Sequence, residues 1–230
     1  MRYWETEPEL RIRVALDEVE EFGHAAAVLG RWTARLKTAG LASRVVLDTY
    51  LPETGRWGDG DALDAAEAVF HADSQAVAAH LRTGGKATRT ALIAAGFAAI
   101  AAGFTGSTAA GMRWLIEHGR PSRPARRVDR ALLTETNALV DARDYYVLLE
   151  AGLANPAVNQ VWLQRSAALT AYRMSLGEHG GSGPDAVLTS LLHVHHIRAY
   201  ALDGEHERLC LHLARASAQA FLHRNGGATP

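Results

Sequence analysis

Three histidines and an arginine fall within eight residues in Leu191-Leu192-His193-Val194-His195-His196-Ile197-Arg198. A neutral imidazole is the side chain best matched to moving a proton near pH 7, and a guanidinium is the best fixed clamp for an anion. On a helix, His193 and His196 share one face, while His195 turns away from them and pairs with Arg198. For any one of these histidines taken singly, a polar flank or a satisfied core histidine is the commoner case. The rest of the chain decides how much weight the stretch carries.

Other groups offer chemistry. In Glu9 to Leu16, Leu10, Ile12 and Val14 alternate with Arg11 and Arg13. On a strand both guanidiniums point to one face, which suits an anion or a solvated edge. Glu53 and Arg56 stand three apart in the Gly-rich turn Pro52 to Gly60, where a strand end presents reactive groups or a plain surface ion pair forms. His71, Asp73 and Ser74 lie within one helix and lack the strained turn that displays a nucleophile, which argues against a hydrolase triad. His193 and His196 with Asp203 or Glu207 follow no recognised metal spacing, no phosphate loop follows a strand, and no paired cysteines exist for zinc. The basic run Arg120 to Arg127 reads as a connector or as a docking surface for an acidic peptide or RNA.

The elements that must carry these groups follow from periodicity. Apolar residues at helical spacing predict helices over Val19–Thr38, Asp61–Leu81, Val128–Val140, Pro156–Leu176, Pro184–Tyr200 and Asp203–His223. Ala91 to Met112 is uncharged, but mostly Ala, Gly, Ser and Thr, so it reads as a buried helix broken near Thr105-Gly106-Ser107 and not as a membrane span. Leu10–Val14 and Leu41–Tyr50 read as strands, the second ended by Pro52. The expected architecture is α+β: several helices beside a small antiparallel sheet, in a single domain over residues 1–230. A net charge of −1 argues against a surface built wholly for nucleic acid. The lone Cys210 and an N-terminus without a signal pattern point to the cytoplasm.

Four segments in order resemble the C-terminal, glutamate-eliminating domain of lantibiotic dehydratases, also found as the stand-alone thiopeptide-type bacteriocin biosynthesis protein. Arg2-Tyr3 with Leu10-Arg11-Ile12-Arg13 is similar to the family's Arg-Tyr … His-Leu-Arg-Leu-Arg strand. Leu47-Asp48-Thr49-Tyr50 with Glu53-Thr54-Gly55-Arg56-Trp57-Gly58 resembles its Asp-Thr-Tyr and Glu-x-x-Arg-Tyr-Gly segment. Phe70-His71-Ala72-Asp73-Ser74 resembles a helix signature, and Leu191 to Arg198 its Leu-Leu-His-Met-His-x-Asn-Arg helix. The chain departs from the pattern at Glu9, where the family has His, and at Ile197, where it has Asn. The family's further upstream segment has no counterpart before Met1, so the expectation is either a sheet lacking a member or a shortened, specialised chain.

The resemblance implies a β-elimination in the biosynthesis of ribosomal peptides. A partner protein using glutamyl-tRNA esterifies a Ser or Thr of a precursor peptide, and this domain expels the glutamate to leave dehydroalanine or dehydrobutyrine. Arg11, Arg13, Glu53, Arg56 and His193 would then form the catalytic site, with Tyr50, His196 and Arg198 contacting substrate, and no metal or organic cofactor. The arginines would hold the leaving carboxylates and an enolate-like intermediate, and His193 would move the proton. The implied partners are the precursor peptide, leader plus core, and the glutamylating protein; a homodimer is compatible with this. Two alternatives stand beside it: a pyridine synthase of the same fold, joining two dehydroalanines with release of the leader, and a non-catalytic peptide-binding partner.

Overall fold

The computed structural model describes residues 10–16, 18–83, 85–119, 129–142, 152–177 and 183–226. Among them, a 3₁₀ turn at Val19–Glu21 precedes nine helices: α1 (Phe22–Thr38), α2 (Thr54–Trp57), α3 (Asp61–Thr83), α4 (Arg89–Thr105), α5 (Thr108–His118), α6 (Arg130–Val140), α7 (Pro156–Ser175), α8 (Pro184–Ala199) and α9 (Gly204–Gly226). Local chemistry sets where these helices start. Thr88, Ser107, Asp129 and Asn155 each accept a hydrogen bond from a first-turn backbone N–H, and Asp203 accepts two, from Glu205 and His206. Pro156 and Pro184 open α7 and α8, where the missing N–H loses nothing.

The chain divides into two compact units, Met1–Pro52 and Glu53–Pro230. The larger is organised around α4, against which α5, α6, α7, α8 and α9 all pack, while α3 lies along α7 and touches α8. The alanines and glycines of α4 make this possible, because helix axes approach closely only where side chains are small. Ile93, Phe97, Ile100 and Phe104 are its bulky core residues, each at most 2% exposed. A Cβ at Gly111 would collide with the backbone of Ala101 and Ala102, so α5 can fold back on α4 only with glycine there. The turn between them is Gly106, at φ +84°, which ends α4 where the break is expected. Among the described residues, no single helix is long and apolar enough to cross a membrane; α4 and α5 together are, but they are bent by 115° and α4 is sheathed by its neighbours.

The α+β expectation is overturned: the described residues are helical and contain no strand and no sheet. Leu10–Leu16 and the residues around Leu41–Tyr50 run without a ladder. The reason is that alternation makes a strand only where one face finds a core. Here Leu10, Ile12 and Val14 are exposed, as are Val45, Val46 and Leu47, and no described residue of Met1–Pro52 is buried. The helices beyond Pro52 follow the sequence periodicity closely. The run Arg120 to Arg127, expected as a basic loop, lies outside the described residues.

Candidate functional site

The chemistry gathers on α8, and the helix uses two faces. One meets α3 and α7. Asp73 of α3 is 2% exposed, yet its carboxylate is fully engaged. Its Oδ1 accepts from Arg165 Nη1 of α7 at 3.0 Å and from His195 Nδ1 at 2.8 Å, and its Oδ2 accepts from Arg198 Nη1 at 3.0 Å. Burial alone would raise the carboxyl; His195, Arg165 and Arg198 outweigh it and hold Asp73 well below the usual carboxylate range. The His195 ring meets α4 end-on, its Nε2 abutting Gly96, where a Cβ would collide with it. Phe97 meets the same ring edge-on, with centroids 5.9 Å apart.

Beside this hub is a cavity of about 200 Å³ lined by His80, Arg89, Gly96, Trp162, Arg165 and His195 among others. Arg165 Nη2 and Trp162 Nε1 are buried with no hydrogen-bond partner among the described residues. Both atoms only donate, so the cavity is suited to an acceptor such as a carboxylate or carbonyl oxygen. The Arg165 guanidinium also stacks over the Trp162 ring at 4.4 Å, which fixes both.

Arg198 links the hub to the Glu53–Arg56 turn through aromatic rings. Its guanidinium lies over Phe70 at 5.0 Å, Phe70 meets Trp57 edge-on at 4.8 Å, and Arg56 lies over Trp57 at 5.7 Å. Trp57 is 4% exposed, and its carbonyl accepts a 2.8 Å bond from the Tyr172 hydroxyl of α7. Glu53 pairs with Arg56 at 3.1 Å on the surface of this turn. Three of the sequence-selected residues, Glu53, Arg56 and Arg198, thus surround Trp57 and Phe70.

The other face of α8 meets α9. His193 Nδ1 lies 2.9 Å from a Glu207 carboxylate oxygen, with 38% of the His193 side chain exposed. A carboxylate accepting from Nδ1–H selects the tautomer whose Nε2 is unprotonated, which is the form a general base needs. One turn on, His196 is fully buried, with Nε2 at 2.8 Å from His206 Nδ1. His206 Nε2 is 3.1 Å from the Thr90 hydroxyl, and the Tyr200 ring stacks on His206 at 3.8 Å. Burial pushes both His196 and His206 below the ordinary histidine value, so both are neutral.

Arg11, Arg13 and Tyr50 belong to the smaller unit. There Arg13 lies over the Tyr50 ring at 4.8 Å, so two of these three selected residues meet one another. Arg165 and His206 were not singled out by sequence as members of a site; Asp73 was weighed only in a hydrolase triad, and Glu207 only as a metal ligand beside His193 and His196. Asp73 lay in plain view in the Phe70 to Ser74 signature, but its partners stand 92 and more residues away.

The model of the lantibiotic biosynthesis dehydratase C-terminal family matches residues 1–218. The chain belongs to this family. No curated protein and no solved structure gave a significant match to it. Membership in the dehydratase family makes the chain a component of lantibiotic-type peptide biosynthesis, and it spans every segment that carries the motifs above.

Proposed function

We propose that this dehydratase-family chain eliminates glutamate from glutamylated Ser or Thr residues of a ribosomal precursor peptide, leaving dehydroalanine or dehydrobutyrine. The observation that carries the reading is the His193–Glu207 pair at 2.9 Å: a half-exposed imidazole whose Nδ1 is held by a carboxylate. In the proposed step His193 Nε2 takes the α-proton. The Cα–Cβ double bond forms, the Cβ–O bond of the ester breaks, and glutamate departs with that electron pair as a carboxylate. By the resemblance, Arg11 and Arg13 are assigned to the anionic leaving group, Glu53 and Arg56 to its remaining charges and Tyr50 to substrate contact, while His196, fully buried, and Arg198, bound to Asp73, support the site from inside the fold. The partners in this reading are the precursor peptide and a protein that glutamylates it from glutamyl-tRNA; the cytoplasm, where that tRNA resides, is the compartment it requires.

The test is mass spectrometry of a glutamylated precursor incubated with the chain. The wild type should convert the ester to the dehydrated peptide, and His193→Ala should leave the glutamylated peptide intact, because general-base catalysis contributes roughly a hundred- to ten-thousandfold in rate. An untouched ester with wild-type protein, alongside aromatisation of a bis-dehydroalanine peptide, would replace the proposal with pyridine synthesis. Tight peptide binding with neither reaction would replace it with a binding role.

A further inference from the structure

Next to the His193–Glu207 pair, α8 and α9 bring a third kind of donor into the same small volume. His196 Nε2, His206 Nδ1 and Cys210 Sγ lie within 4.8 Å of one another. His206 and Cys210 are one helical turn apart on α9, so both side chains project from one stripe toward His196 of α8. We propose that His196, His206 and Cys210 form a zinc-binding site with two nitrogen donors and one sulfur donor.

The geometry supports a metal over a mere hydrogen-bonded trio. A tetrahedral zinc ion with usual bond lengths spaces nitrogen and sulfur donors about 3.6 Å apart and two nitrogens about 3.3 Å apart. Sγ to His206 Nδ1 is 3.7 Å, already at that spacing, and the two imidazole nitrogens, now 2.8 Å apart, need open by only about half an ångström. The outer nitrogen of His206 is held by Thr90 Oγ1 at 3.1 Å and its ring by Tyr200, an arrangement that orients a ligating imidazole. His196 has no exposed surface, and its Nδ1 finds no partner among the described residues.

The local charge agrees. Glu207 and Asp203 act on Cys210 and on His196, and Arg89 is the opposing charge that acts on His206. A dication offsets the two carboxylates and drives the thiol proton to solvent as the metal–sulfur bond forms. Three protein donors leave a fourth tetrahedral position for water. The mix of imidazole and thiolate selects zinc over magnesium or calcium, which take oxygen donors.

The experiment is a titration of chelator-treated full-length protein with Co²⁺ as a spectroscopic stand-in for zinc. One equivalent should bind, giving tetrahedral visible bands and a near-ultraviolet thiolate-to-cobalt band, both erased by added Zn²⁺. Cys210→Ser should lose the thiolate band and weaken binding at least tenfold, and His206→Gln should weaken it similarly. His206 is half-buried, so it also serves if Cys210→Ser does not fold. The wild type should in addition release one proton per metal and melt at a higher temperature with zinc. Absence of stoichiometric uptake, or a thiolate band that survives Cys210→Ser, overturns the proposal. So does binding that is lost in His193→Gln but kept in His206→Gln, which would place the ion at His193 and Glu207.

Discussion

The two faces of α8 hold the same residue types but put them to opposite uses. Toward α3 and α7, His195 and Arg198 are locked onto one buried carboxylate, Asp73, together with Arg165. Toward α9, His193 meets the carboxylate of Glu207 at a half-open surface, and His196 meets another histidine. The difference lies in what the neighbouring helix supplies. A deeply buried carboxylate must be saturated with donors, and saturation fixes the histidine that serves it in place. A carboxylate near the surface orients an imidazole and leaves the other nitrogen able to work. In the function proposed above, the first face holds the helix in place and the second carries the chemistry.

The sharpest way to break this contrast is to remove the hub. Asp73→Ala leaves Arg165, buried to 3% exposure, without its counter-charge, and breaking a buried pair from one side costs about 3–5 kcal/mol. Urea denaturation should show that loss. A change below about 1 kcal/mol would mean that the cluster is not a buried ion network. The same carboxyl predicts the acid limb of stability. Its folded value lies below the ordinary 3.8, so its stabilisation is complete above that value and is lost as pH falls through the folded value. Buried His196 and His206, depressed from 6.5, act in the same direction and earlier: the unfolded chain takes up their protons first, so stability starts to fall as pH drops below 6.5. Melting curves from neutral pH to about pH 3 should show the histidine phase and the onset of the lower one, which Asp73→Asn should flatten.

A smaller effect follows from the close approach of α4. Gly96→Ala puts a methyl group against His195, and an overpacked position of this kind costs about 1–3 kcal/mol. The pair with the least to lose is Glu53 and Arg56, whose side chains are 57% and 46% exposed. Glu53→Ala should change stability by no more than about 1 kcal/mol. A drop as large as that of Asp73→Ala would show that the turn carries the fold as well.

The same contrast marks how far the sequence could be read. Spacing alone separated His193 and His196 from His195 and Arg198, because helical geometry is local, and the structure sends the two pairs to different neighbours as that spacing requires. The helices and the Thr105–Ser107 break were legible for the same reason. The partners were not. Arg165 sits in a helix whose pattern says nothing of a carboxylate on α3, and Glu207, though weighed beside His193 as a metal ligand, could not be told from Asp203 as its partner by spacing. The sheet failed because alternation at Leu10–Val14 and Leu41–Tyr50 reports a potential face, while only tertiary burial turns that face into a strand.

The central claim is that Glu207 sets His193 to move a proton while Asp73 serves only position. It is tested most directly by the elimination rate of Glu207→Gln on a glutamylated precursor, measured beside its melting curve. The account predicts a rate lower by about tenfold or more, a part of what a general base contributes, with the melt nearly unchanged because Glu207 is partly exposed. Undiminished elimination by a folded Glu207→Gln protein would contradict it.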